Sequence, residues 1–372
     1  MLLPVAIVAG PSADALLLKL DATKAKRRRI LPTTDTSHQG HGPDPEQLAN
    51  QIRAIAEEGA IDELVIECDP ETPVMACASL FLPNEDSSHS LAKVAQLTTT
   101  ALVISPSALL DALLGRRGVN NLPSPCFIAE QLEFVSHIVL AGSSDDPDFK
   151  LARAIAVTLN PRAEISDLSQ ETLTTLFTNT ETSFDFNASL EGAGWRRLIE
   201  AAESDRAEGD ITAFAYQARR PFHPERFWDL LQTKLTGIFR AKGFFWLATR
   251  MDLVGGLNLA GQEFHCASAG EWWAARDGRA RQLKMSERTR KEWHEPFGDR
   301  RQAIAFMGID LDPGVFKTEV DACLLTDAEM AADHEHWHSL TDPFPSWSGH
   351  AHKHHCDHDH DHEAGEHDCC HH

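Results

Sequence analysis

Apolar residues along this chain come first in short solid runs. PVAIVA (4–9), DELVIEC (62–68), ALVIS (101–105) and SHIVLA (136–141) are apolar on both faces, the pattern of strands buried on two sides. RILPTT (29–34) is a further strand candidate. Helical stretches lie between the runs. One is predicted over 12–25. Another is opened by Asp44, with Pro45 at its first position and Gln47 at its third, a capped helix start. It places Leu48, Ile52 and Ile55 on one face and stops at Gly59. Strands alternating with helices predict an α/β domain whose parallel sheet is covered on both sides.

The alternation ends near residue 180. Residues 180–209 are polar apart from a short helix around WRRLIEAA, and a second pattern follows. Strands are predicted over 211–218, 239–248, 253–267 and 302–308, with helices over 224–236 and 313–324. This order describes a smaller α+β domain with a mostly antiparallel sheet. The charged insert 276–298 reads as a loop. Beyond residue 330 histidine dominates and little remains to build a core. The expected organisation is a first domain over 1–180, a linker over 181–209, a second domain over 210–330 and a tail over 331–372.

Composition narrows the partners. The 372 residues carry a formal charge of −22, which opposes binding to nucleic acid or to an anionic membrane. The basic cluster Lys24, Lys26, Arg27, Arg28 and Arg29 is a local exception, and its plainer reading is a solvated helix end. No run approaches the ~20 apolar residues of a membrane span. MLLPVAIVAG has no basic lead-in and breaks at Gly10 and Pro11, so it reads as a first strand and not a signal peptide. Eight cysteines are too few for a disulfide framework. A reducing cytoplasm is the expected location.

AIVAGPSADALLLKL (6–20) has the outline of a phosphate-binding loop: an apolar strand, a glycine, then a helix. The chemistry of such a loop needs backbone N–H groups around the phosphates, a lysine to neutralise them and a Ser/Thr hydroxyl for magnesium. GxxxxGK[ST] is absent here. Gly10 is followed by PSAD, several residues short, and Lys19 stands about two turns into the helix. Pro11 removes one N–H donor. Asp14 puts negative charge where a triphosphate would lie.

Four later stretches, RRPFHPERFWDLL (219–231), AKGFFWLATR (241–250), FGDRRQAIAFMGI (297–309) and DACLLTDAEM (321–330), together resemble the C-terminal domain of the CobW-like family of metallochaperone GTPases. The first half is similar in outline. IDELVIECDPETP (61–73) resembles the family's Walker B strand, with Glu67 kept and Pro70 in place of the glycine. CFIAEQLEFVSHIVLAGSSDD (126–146) and LARAIAVTLNPRAEI (151–165) resemble the strand and helix that come later. The resemblance implies a P-loop-type GTPase domain, metal handling and a guanine-reading N-K-x-D. At that motif stand Ala141, Gly142, Ser143 and Ser144, with Asp145 one position late. The family's C-x-C-C metal motif has no counterpart before Cys68. The first domain is therefore expected to be degenerate, without catalytic residues and without GTP as a cofactor.

Several residues carry two readings. His38 and His41 are either two metal ligands or exposed polar residues of a Gly/Pro-rich loop. Cys68 and Cys77 are either a two-thiolate site or buried structural cysteines. Glu67, with no phosphate to work on, reduces to a carboxylate at a strand end. His223, between Phe222 and Pro224, reads as a packing and capping residue. His265 and Cys266 are adjacent on a strand and point to opposite faces, so they cannot chelate together. Phe244, Phe245, Trp246, Trp272 and Trp273 read mostly as core, with a partner surface as the alternative.

The tail GHAHKHHCDHDHDHEAGEHDCCHH (349–372) is chemically the densest stretch. Its candidate metal ligands are His350, His352, His354, His355, Cys356, His358, His360, His362, His367, Cys369, Cys370, His371 and His372. An expression tag usually has six uninterrupted histidines; here no more than two adjoin, and Asp and Cys interleave. An inert polar tail is the other plain alternative. Imidazole and thiolate are borderline-soft donors that suit zinc, nickel or cobalt, and the donors alone do not choose among them. Binding needs deprotonated ligands, so it should weaken below pH ~6.5. The leading expectation is a zinc-binding, metallochaperone-like protein whose partners are a metal ion and a client metalloprotein or CobW-like paralogue. A working GTPase with altered phosphate contacts and an adaptor for an intact paralogue are the alternatives.

Overall fold

The computed structural model describes residues 2–21, 26–32, 44–84, 89–116, 122–169, 172, 176–177, 183–201, 206–208, 210–233, 235–276, 285–332 and 334–347. His38, His41 and all thirteen tail ligands lie outside the described residues.

The first sheet holds β1 (Leu3–Ala9), β2 (Arg27–Ile30), β3 (Glu63–Glu67), β4 (Ala95–Ile104), β5 (His137–Leu140) and β6 (Glu164–Asp167) in the order β2-β3-β1-β4-β5-β6. Every pairing is parallel. The connecting helices are α1 (Ala13–Asp21), α2 (Pro45–Glu58), α3 (Val74–Ser79), α4 (Pro106–Leu114), α5 (Pro125–Phe134) and α6 (Pro147–Leu159). α2 starts as its sequence dictates. The Asp44 carboxylate accepts from the N–H groups of Glu46 and Gln47, and Leu48, Ile52 and Ile55 are buried.

β4 is longer than its apolar run. It begins at Ala95 and carries Thr98, Thr99 and Thr100 into the core. Their hydroxyls find partners: Thr98 donates to Val5 O, Thr99 to Leu176 O, and Thr100 meets Ser136. Satisfied hydroxyls cost little to bury, so three polar letters concealed six residues of strand.

Two helices, α7 (Phe186–Gly192) and α8 (Gly194–Ala201), precede the second sheet. Trp195 and Leu198 of α8 are buried in the cluster that runs from the first sheet to the second. The second sheet holds β7 (Arg206–Glu208), β8 (Ile211–Ala218), β9 (Ile238–Phe245), β10 (Leu253–Ala260), β11 (Glu263–Glu271) and β12 (Gln302–Ile309), ordered β11-β10-β9-β12-β8-β7 and antiparallel throughout. The single strand expected over 253–267 is a hairpin. It turns at Gly261, φ 57°, where a Cβ would collide with the Ala112 carbonyl of α4.

Along β12 the side chains alternate as strand geometry requires. Ala305 and Met307 face the first domain; Ile304 and Phe306 face an outer core. That outer core is completed by α9 (Pro224–Thr233) and by α11 (Pro313–Asp321), with the short α10 (Glu287–Lys291) between them in sequence. α12 (Asp327–Ala331) and α13 (His334–His338) follow. The polar composition beyond residue 330 hides two anchors: Trp337 is 1% exposed and Phe344 is 4% exposed, both packed in second-domain cores. Asp342 binds Arg250 through both carboxylate oxygens.

Candidate functional site

The turn from β1 to α1 is where a nucleotide's phosphates would be sought. Gly10 sits at φ 108°, and a Cβ there would collide with the Val103 carbonyl oxygen. The backbone is pressed onto β4. The Ser12 N–H donates to Val103 O at 3.2 Å, the Ala13 N–H to Gly10 O at 3.0 Å and the Ala15 N–H to Ser12 O at 3.1 Å. The Ser12 hydroxyl accepts from the Ser105 N–H at 3.1 Å. Asp14 is exposed in the first turn of α1, and Lys19 donates to the Leu168 carbonyl. Beside the turn lies a cavity of about 10 Å³, roughly one water's worth, lined by Ala9, Gly10, Pro11, Pro70, Thr72 and Phe127 among others.

Close by, the Glu67 carboxylate stands 3.8 Å from Arg29 Nε. Cys68 and Cys77 are buried with their sulfurs 3.6 Å apart. Their mutual hydrogen bond, then burial, pushes the Cys68 thiol well above its ordinary value. Two sulfurs are half a tetrahedral shell. After β5, Asp145 is exposed, and Asp146 caps α6 by accepting from the Asp148 N–H at 2.9 Å.

In the second domain, His223 caps α9: its carbonyl accepts from the Phe227 N–H, while its own N–H donates to Cys323 O. Burial lowers its imidazole. Phe245, Trp246 and Trp272 are buried; Phe244 and Trp273 are half-buried.

The seam between α5 and the second sheet holds chemistry that the sequence did not announce. Arg240 of β9 is fully buried. Its Nε meets Glu133 Oε1 at 2.7 Å and its Nη2 meets Oε2 at 3.0 Å, while Nη1 donates to Asn258 Oδ1 and Leu259 O. Lys242 reaches both Glu130 and Glu133 at 3.2 Å. Burial pushes the Glu133 carboxyl up, but Arg240 and Lys242 outweigh it and hold the group below the usual carboxylate range.

At the end of this seam, the Cys126 thiol, the Glu263 carboxylate and the His265 imidazole bring donor atoms within 4.8 Å of one another, the one such group of three among the described residues. Cys126 is the second residue of α5; Glu263 and His265 lie on β11. Burial pushes the Cys126 thiol up to about 12. His265 was expected to be unable to chelate with Cys266, and it stands instead beside a cysteine from the other domain. Its partners are 137 residues apart in the chain, so no local spacing reveals them. The signals that could have found the seam are two charge pairs inside otherwise apolar segments, Glu130 with Glu133 and Arg240 with Lys242.

The fold is a parallel α/β domain joined to an antiparallel α+β domain. Residues 211–324 match the cobalamin synthesis protein cobW C-terminal domain. It is 27% identical over 318 residues to the zinc-regulated GTPase metalloprotein activator 1 of Dictyostelium discoideum, covering 80% of this chain and 67% of that protein. It is 37% identical over 146 residues to a zinc chaperone of Mycobacterium tuberculosis, covering 38% of this chain and 36% of that protein. The chain also aligns with the Zn(II)-bound YjiA GTPase from E. coli at 14% identity and a TM-score of 0.34, over 87% of this chain and 100% of that one. Among the described residues no helix is long and apolar enough to cross a membrane.

Proposed function

We propose that this chain is a metal-trafficking protein of the metallochaperone type, collecting zinc or a similar divalent ion such as nickel or cobalt on its C-terminal tail. The observation that carries the reading is the density of donors there: ten imidazoles and three thiols between His350 and His372. A chain of interleaved ligands adapts to an ion and releases it again, which suits capture and handover. The names of the relatives, a zinc-regulated activator and a zinc chaperone, support zinc as cargo. In this reading residues 1–180 are a scaffold, 181–209 join it to the next domain, and residues 210–330 present a surface to a client metalloprotein or a CobW-like paralogue. The setting is the cytoplasm.

The scaffold is proposed not to hydrolyse GTP. Supporting this, the Ser12, Ala13 and Ala15 N–H groups already donate to protein carbonyls, and the nearest lysine is committed to Leu168. A rival reading, favoured by the word GTPase in the Dictyostelium relative's name, keeps nucleotide binding through other contacts.

The test of metal capture compares the full chain with one ending at Trp347. The cut belongs there and not at 330, because Trp337 and Phe344 are core residues. Zinc competition against a chromophoric chelator should show several ions lost with the tail, and weaker binding below pH ~6.5. Equal zinc uptake by both chains would refute the assignment.

A further inference from the structure

We propose that Cys126, Glu263 and His265 form a divalent-metal site at the seam between the two domains, suited to zinc. The site does not depend on what the tail does.

The donor set fits the ion. A thiol, an imidazole and a carboxylate are the three side-chain types that zinc takes, and three protein ligands leave the fourth tetrahedral position open to water or another ligand. The donors come from different elements and arrive together without any motif: Sγ from the first turn of α5, the carboxylate and Nε2 from β11. Neighbouring residues on a strand face opposite ways, but Glu263 and His265 are two apart and share one face.

The fold also holds the set in place. The Glu263 carboxylate lies beside Ser124 and Cys126 at the start of α5, the helix that carries the thiol. The Cys126 sulfur makes long contacts, 3.6 Å to the Asn258 and Glu263 carbonyls. His265 Nε2 lies 2.6 Å from Glu263 Oε1. A metal ion enters by replacing the hydrogen that these two atoms share.

Access and charge suit an exchangeable cation. Cys126 is buried, while the Glu263 and His265 side chains are 30% and 60% exposed. The thiol forms the floor and the imidazole the rim, with water free to take the fourth position. A coordinated thiol is deprotonated outright. Zn²⁺ with one thiolate, one carboxylate and a neutral imidazole sums to no net charge, which the neighbouring Arg240 cation tolerates. Because α5 belongs to one domain and β11 to the other, an ion here joins them.

The experiment uses the full chain with Cys356, Cys369 and Cys370 each replaced by serine, so that tail histidines remain and tail sulfurs do not. Cobalt(II) alone is the probe, read by its near-ultraviolet sulfur-to-metal charge-transfer band. The proposal expects one equivalent of this band. Cys126→Ser should abolish it. His265→Ala, an exposed change that leaves the core untouched, should weaken cobalt binding by more than the ~10–100-fold typical of an outer-shell loss. Cys68→Ser should leave the band unchanged. The proposal fails if the serine parent shows no sulfur band. It also fails if the band survives Cys126→Ser, or disappears with Cys68→Ser, which would place the ion at the buried Cys68–Cys77 pair. Unchanged far-ultraviolet circular dichroism shows that each variant is folded.

Discussion

The β1–α1 turn and the α5 seam direct their polar groups in opposite ways. At the turn, backbone N–H groups that a phosphate would need donate to Val103, Gly10 and Ser12 within the protein. At the seam, charged side chains are buried against one another, and three metal-type donors converge where two domains meet. A site retains chemistry only where polar groups remain available to a ligand. The turn has the outline of a nucleotide loop with its donors turned inward. The seam keeps its metal-type donors in reach of solvent.

The largest expected effect is at the seam. Arg240→Met or Glu133→Leu alone leaves a buried charge without its partner, and each should cost about 3–5 kcal/mol. The double variant should recover most of that loss, since an apolar pair needs no mutual solvation. Urea midpoints of the three variants decide this; a double variant as weak as the singles would mean that Lys242, Glu130 and Asn258 depend on the pair.

A smaller effect is expected at the turn. Gly10→Ala forces a side chain into a left-handed conformation against the Val103 carbonyl. Strain alone should cost ~1–3 kcal/mol, read from the thermal midpoint. No loss of stability would mean that the turn is free to open, as a phosphate loop must.

The smallest effect is in acid. Glu133 titrates below its unfolded value, so its contribution is whole above the unfolded carboxyl value of about 4.3 and is lost as pH falls through its lower folded value. The Glu133→Leu/Arg240→Met double variant should show a shallower decline of stability over that range than the parent. An identical slope would remove Glu133 from the acid response.

What the sequence disclosed follows from how local each signal is. β1, β3 and β5 were legible because a short solid apolar run between helical stretches is seldom anything but a buried strand. α2 was legible because Asp44, Pro45 and Gly59 mark both its ends. The start of β4 was hidden because Thr98–Thr100 look polar until their hydroxyl partners, as far away as Leu176, are known. The β10–β11 hairpin was hidden because its turn is only two residues, Gly261 and Gln262, a short break within LNLAGQEFHCAS. Trp337 was masked by the histidines around it. The seam was the least legible of all. Glu133 and Arg240 are 107 residues apart, and pairing across such a distance is a property of the assembled fold.

The measurement that tests the closed turn most directly is equilibrium dialysis of the full chain against labelled GTP with magnesium. A turn whose donors are already satisfied should show no saturable binding at micromolar nucleotide. Micromolar, magnesium-dependent binding that Gly10→Ala abolishes would contradict it.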